Sequence, residues 1–175
     1  MSILKWLGLP TGGSAARPED TDTVRRIVDA LERIEPAHAR YIAAFAYLLG
    51  RVAYADQVVT AEETRLMERI VMERGDLPED QAVLVVQIAK SQNVLFGGTE
   101  DFLVAREFAE TATREQKLAL LDCLYAVSAA DASITVTEDN EIARIARELK
   151  LEHADLVRAR LAHREYLRVL QRPES

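Results

Sequence analysis

Two segments of nine residues carry acidic and hydroxyl side chains at a spacing that suits cation binding. They span positions 55–63 and 130–138, and each reads Ala-Asp, then Val or Ile, then Thr-x-x-Glu. Their shared carboxylates are Asp56 and Glu63 in the first segment and Asp131 and Glu138 in the second. Carboxylate oxygens are the ligands that Ca²⁺ and other hard divalent cations prefer. These four residues are therefore the candidate metal ligands.

The same spacing has a second interpretation, in which the residues that the two segments share serve only to start a helix and to stabilise the loop before it. Thr-x-x-Glu is the sequence of a capping box, which closes the first turn of a helix, and an Asp before it can accept loop amides in an Asx-turn. One Asp and one Glu are too few for the six to eight oxygens around Ca²⁺. A cation site would need both segments together, or further ligands and water. Capping and cation binding both stay open at this point.

The two segments belong to a longer internal repeat with an offset of 75 positions. Positions 49–73 align without gaps to 124–148, and the aligned apolar positions keep the same phase. The pairs include Leu49/Leu124, Val52/Val127, Ala55/Ala130, Asp56/Asp131, Thr60/Thr135, Glu63/Glu138, Arg69/Arg144 and Glu73/Glu148. We predict two helix–loop–helix copies related by a pseudo-twofold axis, the first at about 37–92 and the second at about 113–170.

The elements that position these segments are predicted to be helices throughout. Apolar residues recur at the i, i+3, i+4, i+7 spacing, and no alternation of period two persists. We predict an all-α bundle of about seven to eight helices. Their expected markers are Thr23, Pro36 (to about Tyr54), Met67 (to about Gly75), Pro78, Thr99 or Asp101, Thr113 (to Ala129), Ile142 and the range 153–170.

The chain is predicted to divide into a short N-terminal segment, 1–22, and a helical domain, 23–172. The segment begins with an amphipathic stretch and continues as a leash rich in Gly, Ser, Ala and Pro. Packing on the chain's own domain is one interpretation of the amphipathic stretch. The other is peripheral membrane contact through Leu4, Trp6 and Leu7, with the indole ring at the interface.

Composition and motifs exclude several classes of function. A net charge of −7 argues against a general nucleic-acid binder, which needs a cationic face. The basic run at 158–172 is interpreted as a solvated helix face. The single cysteine, Cys123, excludes an internal disulfide and is expected in the core. P-loop, nucleophile-elbow, zincin and paired-cysteine motifs are all missing from the sequence, so we predict no enzyme.

The repeated Ala-Asp-x-x-(Val/Ile)-x-x-x-Glu pattern in an all-helical chain resembles the TerB family of bacterial tellurite-resistance proteins. The resemblance covers about 37–170, and a related domain occurs in a membrane-anchored co-chaperone. It departs from the family at Gln57 and Ala132, where the family usually has Gly after the Asp. Because Gly adopts positive φ at no steric cost, these two replacements predict a reshaped loop and weaken the inference of an inherited metal site.

The resemblance implies a compact helical bundle that is bacterial and cytoplasmic, or lies at the inner face of the membrane. It implies association with tellurite tolerance, phage and colicin resistance and general stress response, and it brings no established catalytic reaction. The function predicted is a non-catalytic interaction module with protein partners. The alternative is a protein that binds a divalent cation such as Ca²⁺ through Asp56, Glu63, Asp131 and Glu138.

Overall fold

The computed structural model describes residues 18–53, 60–91 and 101–170. Within these ranges the chain is all-α, with eight α-helices and three short 3₁₀ turns. The helices are α1 (Pro18–Glu32), α2 (Pro36–Ala53), α3 (Ala61–Arg74), α4 (Glu79–Lys90), α5 (Asp101–Thr111), α6 (Arg114–Ser128), α7 (Val136–Glu148) and α8 (His153–Ala162). The 3₁₀ turns are Ala129–Asp131, Arg164–Tyr166 and Arg168–Leu170. None of the described helices is long and apolar enough to cross a membrane.

Helix α2 is the centre of the core because its sequence is apolar on every side. From position 41 to 50 each residue is buried, and Ile42, Phe45 and Leu48 have no measurable exposure. A helix that is hydrophobic all round must be enclosed by other elements. Accordingly, α2 packs against α1, α4, α5, α6 and α7. The remaining principal contacts join α3 to α4 and to α6, and α6 to α7 and to α8.

The two sequence copies form corresponding helices. In the first copy α2 ends at Ala53 and α3 begins at Ala61, and in the second α6 ends at Ser128 and α7 begins at Val136. Both boundaries are therefore displaced by the same 75 positions that align the sequences. Helix α2 contacts both α6 and α7, so the two copies share one core.

Helix α1 begins earlier than its apolar stripe indicates. The structure starts it at Pro18, within the range that the sequence assigns to the leash. Proline is favoured in the first turn of a helix, because its fixed φ suits that turn and its missing N–H is not needed there. The turn from 18 to 22 has no apolar residue, so the periodicity misses it. The range 1–17, with Leu4, Trp6 and Leu7, lies outside the described residues.

The last helix is shorter than the predicted range of 153–170. Helix α8 ends at Ala162, and the chain continues through two 3₁₀ turns. Between those turns Leu167 is buried and forms an isolated parallel bridge with Ile134 of the second repeat loop. The Ile134 N–H donates to the Tyr166 carbonyl at 2.6 Å, and the Arg168 N–H donates to the Ile134 carbonyl at 3.1 Å. Packing of the C-terminal segment against this loop therefore overrides helix propensity.

The bridge also corrects the interpretation of the basic C-terminal run as one helix face. Arg160 lies on α8, where its Nε donates to Asp139 Oδ1 at 3.0 Å. Arg168 lies beyond the helix and donates to the Ser133 hydroxyl at 3.1 Å. These arginines therefore hold α8 and the C-terminal segment to the second repeat instead of forming a common solvated stripe.

Candidate functional site

Thr60 and Glu63 form a complete capping box at the start of α3. The Glu63 N–H donates to Thr60 Oγ1 at 3.2 Å, while the backbone N–H of Thr60 donates to Glu63 Oε2 at 2.7 Å. The Thr60 hydroxyl donates to the same Oε2 at 2.9 Å. The hydrogen bonds from the Thr60 backbone and side chain lower the pKa of the Glu63 carboxyl. Glu63 is thus held as an anion at the beginning of the helix.

Thr135 and Glu138 repeat this geometry at the start of α7. The Thr135 N–H and hydroxyl donate to Glu138 Oε2 at 2.8 and 2.7 Å, and the Glu138 N–H donates to Thr135 Oγ1 at 3.2 Å. The capping interpretation of Thr-x-x-Glu is therefore confirmed in both copies. Each capping box also fixes where its glutamate lies, since the side chain must return to the first turn.

Capping occupies only one oxygen of each glutamate. Oε2 of Glu63 and of Glu138 accepts both bonds from the capping threonine. Among the described residues, Oε1 of each carboxylate accepts no hydrogen bond. Asp131 is similar, because Oδ1 accepts the Ser133 N–H at 3.2 Å in an Asx-turn while Oδ2 has no partner within the same ranges. Capping and ligand binding are therefore compatible roles for these side chains.

A single pocket of about 490 Å³ brings the two copies together. Three of the four predicted ligands line it, namely Glu63, Asp131 and Glu138. The fourth, Asp56, lies outside the described residues. The full lining is Arg51, Val52, Ala53, Glu63, Leu66, Met67, Val127, Ser128, Ala130, Asp131, Thr135, Thr137, Glu138 and Glu141. The sequence could not show that the two copies face one space. The structure shows it for the described residues, through the end of α2 and the first turns of α3 in the first copy and the loop and start of α7 in the second.

Arg51 anchors the wall of this pocket. Its side chain is only 4% exposed, and it forms ion pairs of 2.6 Å with Glu141 and 2.8 Å with Glu148 of α7. Burial alone would lower the pKa of the guanidinium, but the hydrogen bonds that it donates to Glu148 and Glu141 outweigh burial and raise it. Arg144 extends the network, donating to Glu148 at 3.2 Å. Arg51 therefore stays charged and is compensated within the wall.

The wall also contains a buried hydroxyl without a partner. Ser128 closes α6 and is 4% exposed, and its Oγ has no hydrogen bond within the described residues. Leaving a hydroxyl unpaired in the interior is destabilising, since its bonds to water are lost and not replaced. Of the buried side-chain N and O atoms that the structure describes, this Oγ is the one that lacks a hydrogen-bond partner.

Ala132 adopts the left-handed backbone conformation, although the sequence analysis predicted that alanine would disfavour it at this position. It follows the 3₁₀ turn of the second loop with φ 66° and ψ 13°. The expected reshaping of this loop is therefore wrong at Ala132, since the backbone takes a positive φ without glycine. The Asx-turn of Asp131 and the bridge at Ile134 hold the loop on either side of this residue. Gln57, the corresponding residue of the first copy, lies outside the described residues.

The described carboxylates of the pocket do not form a metal centre by themselves. In the ranges that the structure describes, no group of three or more His, Cys, Asp and Glu side chains is arranged to hold a metal ion. The predicted set of four includes Asp56, which these ranges leave out. The metal interpretation therefore stays a prediction for the full set.

Sequence reasoning missed Arg51, Glu141 and Ser128. One signal was available, because Arg51 is the single charged residue between positions 41 and 53. A lone arginine in an apolar helix end requires a buried partner. The partners Glu141 and Glu148 lie 90 and 97 positions away, so the sequence does not reveal them.

A second polar cluster joins α6 to α7 and α8, and none of its residues, Tyr125, Asp139 and His163, lines the pocket. The Tyr125 hydroxyl donates to Asp139 Oδ1 at 2.8 Å, and the Tyr125 ring stacks on His163 with centroids 5.8 Å apart. Burial and the bond to Asp139 raise the pKa of Tyr125. Cys123 is fully buried, as expected, and burial raises the pKa of its thiol. These groups brace α6 against α7 and α8.

The comparison with known families agrees with the helix pattern and with the two repeat loops. A family model described as tellurite resistance protein TerB matches residues 41–161. This range contains both capping boxes and every described residue of the pocket. No curated protein and no solved structure matches the chain significantly.

Proposed function

We propose that this chain, which belongs to the TerB family, is a non-catalytic binding module of a bacterial stress response that includes tellurite tolerance. Its membership follows from the family match over residues 41–161. The single observation that supports a binding role is the pocket of about 490 Å³, which described residues of both repeat copies line. Pockets of roughly 300–1,000 Å³ are the size that proteins use for ligands and side chains. We place the module in the cytoplasm, with the inner membrane face as the alternative.

The side chains around the pocket support binding in preference to catalysis. The carboxylates of Glu63 and Glu138 are fixed by capping, and Arg51 is neutralised by Glu141 and Glu148. Nucleophilic catalysis requires an accessible nucleophile beside a base. Cys123 is buried with a raised thiol pKa, and His163, 6% exposed, is paired with Asp122 instead of facing the pocket.

The proposal is tested by filling the pocket and measuring tellurite survival. Leu66 lines the pocket and is 36% exposed, so Leu66→Trp adds bulk at the rim without disturbing the core. Leu103 on α5 is 47% exposed and is not among the pocket residues, which makes Leu103→Trp the matched control. In a strain without the gene, we expect wild type and Leu103→Trp to restore survival on tellurite and Leu66→Trp to fail.

Two results would contradict this proposal separately. Unchanged tellurite survival after deletion of the gene would remove the stress-response role. Full restoration by Leu66→Trp, with the protein folded and present at the wild-type level, would remove the pocket from that role. Far-ultraviolet circular dichroism and thermal unfolding of both Trp variants establish that they fold alike.

A divalent-cation site is the second candidate function. It is favoured by the oxygens left over from capping, Oε1 of Glu63 and of Glu138, and by Asp131 in the same pocket. Asp56 would complete the predicted set. A cation at 100 times its dissociation constant adds about 2.7 kcal/mol to the free energy of unfolding. In a chain of this size that raises the melting temperature by about 5 to 10 °C.

The cation candidate is tested by thermal unfolding in EDTA against Ca²⁺, Mg²⁺, Mn²⁺ and Zn²⁺. We expect a rise in melting temperature for wild type and none for the double variant Asp56→Asn/Asp131→Asn. Asp29→Asn, an exposed change of the same type on α1, is the control and should respond as wild type does. An identical response of the double variant, or no rise with any of the four cations, would eliminate the site.

A further inference from the structure

We propose that the pocket between the repeats receives a lysine side chain from a partner polypeptide. This inference rests on the proposed binding role of the pocket and names the chemistry of what it binds. The ligand group is a primary ammonium on an aliphatic stem. Three properties of the described lining support it: the excess of carboxylates over cations, the apolar wall and the buried hydroxyl of Ser128.

The charge of the pocket favours a cation. Among the described lining residues are four carboxylates, from Glu63, Asp131, Glu138 and Glu141, and one guanidinium, that of Arg51. Arg51 is paired with Glu141 and with Glu148 behind it, so Glu63, Asp131 and Glu138 remain uncompensated by that arginine. Each of these three carboxylates has one oxygen without a hydrogen bond among the described residues. An ammonium group donates three hydrogen bonds and accepts none, which matches the three carboxylates, since an ionised carboxylate only accepts.

Two helix N-termini oppose this preference, but they are the weaker effect. Helices α3 and α7 both begin at the pocket, and a helix N-terminus carries about half a positive charge. The capping side chains already occupy part of their amides, since Thr60 accepts from Glu63 and Thr135 accepts from Glu138. Two half charges do not offset three carboxylates, so the pocket remains attractive to a cation.

The apolar wall distinguishes a lysine from a metal ion. Val52, Met67 and Val127 are buried lining residues, and Leu66 lies at the rim. A hydrated divalent cation gains nothing from such a wall, whereas the four-carbon stem of lysine packs on apolar surface while its ammonium reaches polar groups. The described carboxylates also share a pocket without forming a metal-sized cluster. An ammonium group forms hydrogen bonds to carboxylate oxygens at roughly 2.7–2.9 Å, so it does not need the carboxylates to be gathered into such a cluster.

Ser128 is an independent observation for an absent ligand group. Its Oγ is buried in the pocket wall without a hydrogen bond among the described residues. A hydroxyl both donates and accepts hydrogen bonds, so Ser128 Oγ can accept one from an ammonium N–H once the pocket is filled. An unpaired polar atom at a ligand site is explained when the ligand supplies its partner.

The test uses N-acetyl-lysine N′-methylamide, with backbone amide shifts of the ¹⁵N-labelled protein as the readout. The norleucine analogue keeps the stem and removes the ammonium, and 1,5-diaminopentane represents a free amine. At low ionic strength we expect lysine amide to shift the resonances of Glu63, Asp131 and Glu138, and norleucine amide to leave them in place. Because a single side chain is a small ligand, the expected dissociation constant is about 1 mM or weaker.

A double variant removes the charge without removing the caps. In Glu63→Gln/Glu138→Gln each Gln can still close its capping box, since Thr113 and Gln116 form the same box at the start of α6. There the Thr113 N–H donates to Gln116 Oε1 at 2.8 Å. We expect the double variant to stay folded, to melt slightly below wild type because two helix N-termini lose an anion, and to bind lysine amide at least about tenfold more weakly. Glu110→Gln, an exposed change of charge outside the pocket, should bind as wild type does.

Several outcomes would overturn the inference. It fails if lysine amide causes no shifts, if norleucine amide binds equally well, or if the double variant binds as tightly as wild type. Binding of 1,5-diaminopentane without lysine amide would assign the pocket to a free amine and exclude the polypeptide source. Tellurite survival separates the two proposals. If Leu66→Trp loses tellurite survival but the wild-type protein does not bind lysine amide, this inference alone fails. If the wild-type protein binds lysine amide but Leu66→Trp restores full survival, the proposed function alone fails.

Discussion

Arg51 and Glu148, 97 positions apart in the sequence, are joined by an ion pair of 2.8 Å whose arginine side chain is only 4% exposed. The pair connects the last turn of α2 with the last turn of α7, one helix from each copy of the repeat. The other carboxylate on Arg51, Glu141, lines the pocket, so the same arginine holds the copies together and sets part of the pocket wall.

Removing this arginine should destabilise the fold. Arg51→Met keeps much of the stem and removes the buried cation that Glu141 and Glu148 share, which leaves them the exposed Arg144 at 3.7 and 3.2 Å. Breaking a buried pair costs about 3–5 kcal/mol, and partial exposure of the two carboxylates reduces this to about 2–3 kcal/mol. Urea unfolding monitored by circular dichroism measures the loss. Arg25→Met, in an exposed pair with Asp22 at 3.9 Å, should change the free energy of unfolding by less than about 1 kcal/mol, and an equal loss in both variants would contradict the argument.

Replacing Ala132 by glycine should stabilise the protein. The left-handed conformation costs a non-glycine residue about 1–2 kcal/mol, while the extra freedom of glycine in the unfolded chain returns about half of that. The expected net gain is about 0.5–1 kcal/mol. Ala130→Gly, in the preceding 3₁₀ turn, should instead destabilise. Thermal unfolding of both variants at one pH decides, and a lower melting temperature for Ala132→Gly would show that the loop does not hold this φ.

Ser128→Ala should raise the free energy of unfolding by about 1 kcal/mol. The change removes a buried hydroxyl that has no partner among the described residues, and an unpaired buried group costs about 1–3 kcal/mol. Greater helix propensity of alanine accounts for about 0.5 kcal/mol or less of the gain. Urea unfolding of the unliganded protein is the measurement. A loss of stability would mean that the hydroxyl is satisfied in solution.

Asp122 should make stability depend on pH in the acid range. Its carboxylate lies 3.1 Å from His163 Nε2 and 3.2 Å from Arg74 Nη1. The hydrogen bond from His163, followed by the effects of Arg74, lowers the pKa of Asp122 below its ordinary value of 3.8 despite partial burial. A lowered folded pKa stabilises above the ordinary value, and this contribution disappears as pH falls through the folded value.

The matching variant is Asp122→Asn, which does not titrate. At pH 7 we expect it to be less stable than wild type by about 1 kcal/mol, as for a partly exposed ion-pair network. Between about pH 4 and pH 2 the difference should shrink, because only wild type loses the contribution of the carboxylate. Urea unfolding at steps of pH measures both curves. Parallel curves over this range would exclude Asp122 as the titrating group.

The fold was predictable where the signals are local. The apolar stripes locate the helices, and Thr60, Thr113 and Thr135 mark helix starts because a capping box is closed by residues three positions apart. The end of α8 was not predictable. Nothing near Ala162 in the sequence stops a helix, and the burial of Leu167 against Ile134 is a tertiary effect.

The candidate site was predictable only in part for the same reason. The repeat pointed to Glu63, Asp131 and Glu138, and each of them lines the pocket. That the pocket is shared depends on how α2, α6 and α7 pack, which no single segment encodes. Arg51 could be suspected as a lone charge in an apolar helix, but Glu141 and Glu148 could not be assigned to it without the packing.

The parallel bridge between Ile134 and Leu167 makes amide exchange with deuterium a report on two distant parts of the chain at once. The Ile134 N–H donates to Tyr166, and the Arg168 N–H donates to Ile134. Neither amide can meet solvent until the C-terminal segment leaves the second loop, so both should exchange through one opening event with a common protection factor. The segment that carries Asp131 and Glu138 is thereby held in place by backbone hydrogen bonds to residues some thirty positions further along the chain.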